Sequence, residues 1–302
     1  MIEIKHLSQQ RKGQRVLDEI TLSAPGGAIL GIVGPRGAGK TSLLRILATL
    51  DTPTAGDALI AGYSVNHQRA QVRPLIGYLP AALGVYADQT CAEYLAFFAA
   101  CYGIPARERS ALVSDLLRLV ELYHRRDDPV DRLSPAMRQR LGLARALVHD
   151  PLVLLLDEPM RLLDPRAQVE LRETLKALTE MNKTIVMTST SLAEVRDICT
   201  HAAILRDGRL VESGTLEAIT PSHRRIVIKL LGDPQTALKL ALSINGVVEA
   251  QFAAGSPLPG ARPALALLKE MHVTFDGSYA DASALLRALM HSGVQVVSFQ
   301  EE

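Results

Sequence analysis

The segment Gly34-Pro-Arg-Gly-Ala-Gly-Lys-Thr41 constrains this chain more than any other stretch. It fits GxxxxGK[ST], and its setting fits as well. The continuous apolar run Ala28-Ile-Leu-Gly-Ile-Val33 suits a strand buried on both faces, and Leu43, Leu44, Leu47 and Leu50 follow the loop at helical spacing. A strand, a glycine loop and a helix in that order let the backbone turn its amides inward around phosphates. Lys40 supplies a point charge for the outer phosphates, and the Thr41 hydroxyl can reach Mg2+. The candidate nucleotide-binding residues are therefore Gly34, Pro35, Arg36, Gly37, Ala38, Gly39, Lys40, Thr41 and Ser42. The competing reading is a glycine-rich turn at a helix start.

A second acidic strand belongs to the same chemistry. Leu152-Val-Leu-Leu-Leu-Asp-Glu158 reads as a buried strand ending in adjacent carboxylates. Successive side chains diverge at a strand end, so Asp157 can hold the metal and its water shell while Glu158 addresses an attacking water. The metal ligands are expected to be Thr41 and Asp157, and the catalytic residue Glu158. The plainer alternative is a strand followed by an acidic helix cap.

Around these motifs the chain reads as α/β. Met1 to Leu7 and Thr21 to Ser23 alternate like antiparallel edge strands about a turn at Lys12-Gly13-Gln14. Helical periodicity covers Ala92 to Tyr102, Arg107 to Tyr123 and Pro135 to Val148, a helical insertion at about residues 82–150. Strands at Leu152 to Leu156 and Thr184 to Thr188 flank a helix at Pro165 to Thr179, which predicts a parallel crossover. Ala203 to Val211 reads as a hairpin through Asp207-Gly208, and His201 as an edge histidine. Pro221-Ser222 marks a boundary between residues 1–220 and a small α+β domain at 223–302. There we expect strand Ile226 to Leu230, helix Pro234 to Leu242, strands Val247 to Phe252 and Val273 to Asp276, helix Ala280 to Met290 and strand Val294 to Phe299. A loop falls near residues 255–262, and the order suggests a ferredoxin-like split β-α-β domain.

Composition narrows the functional classes. With 33 basic and 32 acidic residues the formal charge is +1, which gives no global electrostatic case for nucleic acid as a partner. Cys91, Cys101 and Cys199 form no CxxC pair and read as packing residues of a reducing compartment. The apolar stretch Tyr94 to Ile104 is about half the roughly 20 residues a spanning helix needs. The chain is therefore expected to be cytoplasmic.

With these residues in view, the first 220 positions resemble the ATP-binding subunits of ABC transporters. Leu133-Ser-Pro-Ala-Met-Arg-Gln-Arg140 stands where the family has its LSGGQ signature, Leu162-Leu-Asp-Pro165 resembles the D-loop, and Ile76-Gly-Tyr-Leu-Pro80 the approach to the Q-loop. The resemblance implies a P-loop NTPase of ABC type, with a mixed sheet core, an antiparallel β subdomain and the helical insertion. It adds Ser134 and Asp164 to the nucleotide-contacting residues and implies ATP and Mg2+ as ligands. It also implies a head-to-tail pairing with a second ATP-binding subunit, alike or different. An integral membrane transporter subunit would be the other partner, with this chain peripheral on the inner face of the membrane. The C-terminal extension looks like that of drug, lipid and polysaccharide exporters. The coupling groove is expected near Ala81 to Tyr102, lined by Leu83, Val85, Tyr86 and Phe97; the alternative is that Phe97 is simply a core residue. A non-catalytic regulatory subunit is the alternative; a soluble ABC protein acting on DNA or ribosomes and a small-molecule phosphoryl transferase fit less well.

Several positions depart from the family pattern. Gln10-Arg11-Lys12-Gly13 carries no adenine-stacking aromatic, though Arg11 or Lys12 can cover the base with a cationic plane or stem. Ala81 replaces the Q-loop glutamine, Pro135 and Ala136 replace the signature glycines, and Thr190 replaces the switch histidine at the end of Thr184-Ile-Val-Met-Thr-Ser-Thr190. Ser134 remains a good N-cap and Pro135 suits a first helical turn, but one amide is lost. Binding is expected to survive better than turnover.

Overall fold

The computed structural model describes residues 1–84, 88–219, 224–231, 233–244, 246–252, 269–275 and 279–301. Two compact units divide it, Met1–Ile219 and Thr220–Glu302.

The first unit opens with β1 (Ile2–Arg11), β2 (Gln14–Ala24), β3 (Ile29–Val33) and α1 (Lys40–Leu47). β4 (Ala55–Ile60), β5 (Tyr63–Ser64), the short α2 (Arg69–Val72) and β6 (Ile76–Leu79) follow. β1 and β2 form the expected hairpin, with Lys12 and Gly13 both at positive φ in its turn. Of these two, β2 alone lies at an edge of the sheet. The sheet order β2-β1-β4-β5 encloses β1 between two partners, which corrects the reading of β1 as an edge.

Helices α3 (Cys91–Cys101), α4 (Ala106–Leu119) and α5 (Pro135–Leu147) make up the helical segment. A capping box starts α3: the Thr90 amide donates to Glu93 Oε2 at 2.9 Å, and the Glu93 amide donates to Thr90 Oγ1 at 3.2 Å. α4 ends before the predicted Tyr123 because Glu121 turns to φ 58°; Tyr123–Arg125 then form a separate 3-10 turn under the Arg118 guanidinium. β7 (Val153–Leu156), α6 (Pro165–Glu180) and β8 (Thr184–Ser189) form the predicted parallel crossover. The single-turn α7 (Leu192–Arg196) leads to the hairpin of β9 (His201–Arg206) and β10 (Arg209–Thr215), through Asp207 at φ 49° and Gly208 at φ 77°; α8 (Leu216–Ile219) ends the unit. β9 lies between β10 and β3, so His201 opens an interior strand, not an edge.

The larger sheet runs β10-β9-β3-β8-β7-β6, parallel except for β10. Alternate residues of the same strands face opposite layers, as the pleat requires. Ile29, Val33, Leu154, Leu156, Ile185 and Met187 join the core under α3, α4 and α5. Leu30, Ile32, Val153, Leu155 and Val186 join the core shared with α1 and the antiparallel sheet. Burial on both faces explains why β3 and β7 read as unbroken apolar runs.

The second unit comprises β11 (Arg224–Leu231), α9 (Pro234–Ser243), β12 (Val247–Phe252), β13 (Lys269–Phe275), α10 (Tyr279–His291) and β14 (Gln295–Glu301). Its antiparallel sheet has the order β12-β13-β11-β14, the arrangement of a split β-α-β fold. Ile226, Ile228, Met271, Val273 and Phe275 pack with Ala237, Ala241, Leu285 and Leu289. The Asp233 carboxylate caps α9 by accepting from the amides of Gln235 and Thr236. The expected boundary Pro221-Ser222, the loop at 255–262, the strand end at Asp276, and Val85 and Tyr86 lie outside the described residues. Among the described residues no helix is long and apolar enough to cross a membrane.

Of the three cysteines, Cys91 and Cys199 are buried, and burial pushes their thiols up to about 11 and about 12. Cys101 is exposed, which corrects its reading as a packing residue. An alkylating reagent at mildly alkaline pH is expected to modify Cys101 in the folded protein and Cys91 and Cys199 only after denaturation. Peptide mapping before and after unfolding checks this.

Candidate functional site

Parallel strands in one sheet deliver their following loops to a single edge, where ligands of open α/β sheets collect. Here β8 lies between β3 and β7, so the glycine loop after β3 and the acidic pair after β7 stand on either side of the end of β8. The Gly34 amide donates to the Ser189 carbonyl at 3.2 Å, which pins the loop to that strand. Gly34 has no room for a side chain: a Cβ there would lie 2.1 Å from the Leu205 carbonyl oxygen. Gly39 adopts φ 99° as the cap of α1, with Val16 O at 2.7 Å from where a Cβ would be.

Lys40 is the first residue of α1 and is only 5% exposed. Its Nζ donates to the carbonyls of Gly34 at 2.7 Å and Pro35 at 3.0 Å, so the loop curls around the ammonium. Burial lowers the Lys40 pKa, while the nearby Glu158 and Asp157 carboxylates oppose that shift. Pro35, Arg36, Gly37 and Thr41 are exposed and Ser42 is half-buried, whereas Ala38 is buried.

The two carboxylates diverge, as strand geometry demands. Asp157 is 1% exposed and points inward. Its Oδ2 accepts from Thr41 Oγ1 at 2.9 Å and its Oδ1 from Thr188 Oγ1 at 2.7 Å. Glu158 turns the other way, in the left-handed region at φ 48°. One of its carboxylate oxygens meets Arg161 Nη1 at 3.1 Å, and the other lies 4.0 Å from Lys40 Nζ. Its backbone amide donates to Thr188 Oγ1 at 2.8 Å. The structure thus brings Lys40, Thr41, Asp157 and Glu158 together, with Thr188 and Arg161, two residues the sequence reading missed. Both are neighbours of known motifs: Arg161 follows Glu158 by one turn, and Thr188 lies two residues before Thr190.

Ser134 and Asp164 occupy helix N-termini. Ser134 Oγ accepts from the Met137 amide at 3.2 Å with Pro135 in the first turn of α5, and Asp164 Oδ1 accepts from the Ala167 amide at 2.9 Å to cap α6. Among the described residues no hydrogen bond joins either to the glycine loop. Arg140 of α5 links the two helices, reaching Glu121 at 2.6 Å and Glu170 at 2.7 Å, while Arg166 reaches Glu170 at 3.0 Å. Ala81 is half-buried after β6, and Thr190 is exposed after β8. The Arg11 guanidinium is tied to Asp51, which Arg45 also binds, whereas Lys12 stands exposed at the hairpin turn.

A groove of about 350 Å³ opens beside β6, lined by Arg73, Tyr78, Phe98, Tyr102, Arg145 and His149 and flanked by the exposed Leu50. His149 stacks on Tyr102 at 3.8 Å, and its Nε2 faces the Ile76 carbonyl at 2.9 Å. Burial lowers the His149 pKa, which favours the neutral ring. Of the residues expected to line a coupling groove, Leu83 is half-buried against the core with its methyls near Gly142, and Phe97 is exposed; neither lines this cavity, where Phe98 and Tyr102 stand.

A buried strand, a glycine loop wrapped on a lysine, and an acid pair on the neighbouring strand ends define a P-loop nucleotide-binding cassette. Residues 17–161 match the family described as ABC transporter. The chain is similar to the Nod factor export ATP-binding protein I of Burkholderia orbicola (strain AU 1054), 34% identical over 243 residues and 80% of each chain. Against the protein of the same name from Ralstonia nicotianae (strain ATCC BAA-1114 / GMI1000) it is 32% identical, covering 80% of this chain and 76% of that one. Among solved structures, an ATP-binding subunit of an ABC transporter superposes with TM-score 0.67 and 28% identity, over 72% of this chain and 91% of that one. A dimeric ATP-binding cassette in a post-hydrolysis state, bound to ADP and Pi, gives TM-score 0.67 and 25% identity over 72% and 99%. This chain belongs to the ABC transporter family and is an ATP-binding subunit of such a transporter. The matches favour that reading over a regulatory subunit.

The loop geometry separates its glycines by cost. Gly34→Ala is expected to destabilise the fold by about 2–3 kcal/mol or more, because a carbonyl must move. Gly37, at φ 83° with open space around it, should cost only about 1–2 kcal/mol as alanine. Urea unfolding of the two variants measures the difference.

Proposed function

We propose that this subunit binds MgATP through the glycine loop and powers, or gates, an exporter whose membrane subunit docks in the groove beside β6. The observation that carries the reading is the pairing of Thr41 with the buried Asp157 beside Lys40. A hydroxyl and a carboxylate 2.9 Å apart form a hard oxygen donor set of the kind Mg2+ prefers, next to an ammonium that can meet phosphate oxygens. When bound, Mg2+ neutralises charge on the phosphates. Lys40 would exchange its bonds to the Gly34 and Pro35 carbonyls for phosphate oxygens. Glu158 is the group placed to orient a water or accept its proton. Ser134 and Asp164 are assigned to the face that meets a second ATP-binding subunit, alike or different. Residues 223–302 are assigned as an accessory domain of ferredoxin-like topology, and the subunit is placed peripherally on the cytoplasmic side of the membrane. The export role follows the relatives' names.

Hydrolysis should be slow. In-line attack needs a fixed γ-phosphate, and Ala81, Thr190 and Pro135 take away the side-chain amide, the imidazole and one backbone N–H that the family uses for that positioning, while Ala136 keeps its N–H. Each such loss costs roughly 10²–10³ in rate, without simple additivity. Calorimetry is expected to show appreciable MgATP binding that Lys40→Ala removes, with turnover near background. Restoring glutamine at 81, histidine at 190 and glycines at 135 and 136 together should raise turnover above any single reversion. Robust hydrolysis by the unaltered protein, lost in Glu158→Gln, would contradict the slow-turnover reading.

The docking assignment has its own test. Leu50 and Tyr102 flank the groove with about half of their surface exposed, so charged substitutions there spare the core. Leu50→Asp with Tyr102→Glu is expected to abolish co-purification with the membrane subunit and leave ATP affinity unchanged. Retained association would place the partner elsewhere.

A further inference from the structure

We propose that Thr188 is a positioning residue that sets both members of the acidic pair through a single hydroxyl. The proposal rests on the MgATP reading of this site. Thr188 is fully buried near the carboxyl end of β8. A hydroxyl has one proton and two lone pairs. Thr188 Oγ1 gives its proton to Asp157 Oδ1 at 2.7 Å and accepts the Glu158 amide at 2.8 Å. One atom therefore holds the side chain of the first acid and the backbone of the second.

The consequences differ for the two carboxylates. Asp157 is held from two sides, by Thr188 within the protein and by Thr41 at the loop. If Thr41 turns toward a metal, Thr188 still fixes the carboxylate plane. Glu158 sits at φ 48°, a conformation that non-glycine residues resist unless their surroundings impose it. The hydrogen bond its backbone N–H donates to Thr188 Oγ1 is such an imposition, and the side chain lies toward Lys40 and Arg161. Packing does not ask for the hydroxyl. Ile185, Val186 and Met187 fill the preceding positions of β8 with apolar side chains, and valine would match the shape of Thr188.

The test compares Thr188→Val, isosteric but without the hydroxyl, with Thr188→Ser, which keeps it. ATP affinity is measured by calorimetry with and without Mg2+, alongside thermal unfolding and single-turnover hydrolysis. Thr188→Val is expected to keep the metal-free ATP affinity of the parent while losing roughly 10–100-fold in apparent Mg2+ affinity of the nucleotide complex, as for other groups that orient a metal ligand. Thr188→Ser should stay within about threefold of the parent on the same scale. Parent-like Mg2+ dependence in Thr188→Val overturns the proposal, as does a Thr188→Ser variant as impaired as a folded Thr188→Val. Should Thr188→Val not fold, Thr188→Ser decides alone: retained Mg2+ dependence supports the hydroxyl and its loss refutes it. A parent protein with no Mg2+-dependent ATP binding overturns the MgATP reading itself, and this proposal with it.

Discussion

The register of β3, β8 and β7 at the carboxyl edge of the central sheet is the constraint on which the rest of the site depends. Val33 pairs with Ser189 and Leu156 with Met187, so the chain leaves β3 and β7 at nearly the same level on either side of β8. Within these strands every residue is buried, and unpaired polar groups would be costly there. Chemistry is therefore displaced to the first residues beyond the strands. Gly34 must be glycine because β9 passes so close that the Leu205 carbonyl occupies the space of a side chain. From β8, the Ser189 carbonyl accepts the Gly34 amide of the loop and the Thr188 hydroxyl reaches Asp157.

Electrostatics then follow from burial. Lys40 loses water and recovers part of the loss from the Gly34 and Pro35 carbonyls, with Glu158 at 4.0 Å. Glu158 shares its charge between that ammonium and Arg161. Such an arrangement holds the carboxylate ready but paired, so any partner that draws Arg161 away would also change the field around Glu158. Arg161 is half-exposed, and its pair with Glu158 contributes little to stability. Its effect would fall on reactivity instead.

How much of this was legible in sequence depends on whether the signal was local. The glycine loop, Lys40, Thr41, Asp157 and Glu158 lie in contiguous motifs whose flanking strands are buried on both faces, and apolar runs announce such strands plainly. β4, β5 and α2 are hard to read in sequence because turn formers such as Pro53, Gly56 and Gly62 break residues 51–70 into short pieces with no clean period. β6 escaped as a strand since it is four residues long and contains Gly77, which lies against the Ala146 carbonyl of α5. Thr188 looked like one more β-branched residue of a strand. Its role requires knowing that β8 separates β3 from β7, and strand order is not written in periodicity. The packing of Leu83 is hidden for a related reason: Gly142 on α5 leaves a hollow that Leu79 and Leu83 enter, a match between positions far apart in sequence.

The two helix starts outside this cluster carry Ser134 and Asp164, whose observed bonds belong to the fold. Ser134 and Asp164 each accept an amide of their own helix, which fixes the side chain before any ligand arrives. Ser134 still has its hydroxyl proton to donate, and Asp164 a second oxygen. Proline at position 135 sacrifices an amide that a first helical turn leaves unbonded, so α5 begins as firmly as it would with glycine there. The substitution therefore falls on what the helix can offer outward and spares its folding. Arg140, between Glu121 of the α4 end and Glu170 of α6, holds the two starts in a common frame, and Glu170 is kept ionised below its ordinary range by Arg140 and Arg166. The ion pairs that join α5 and α6 and the caps that start them are thus independent of the residue at position 135.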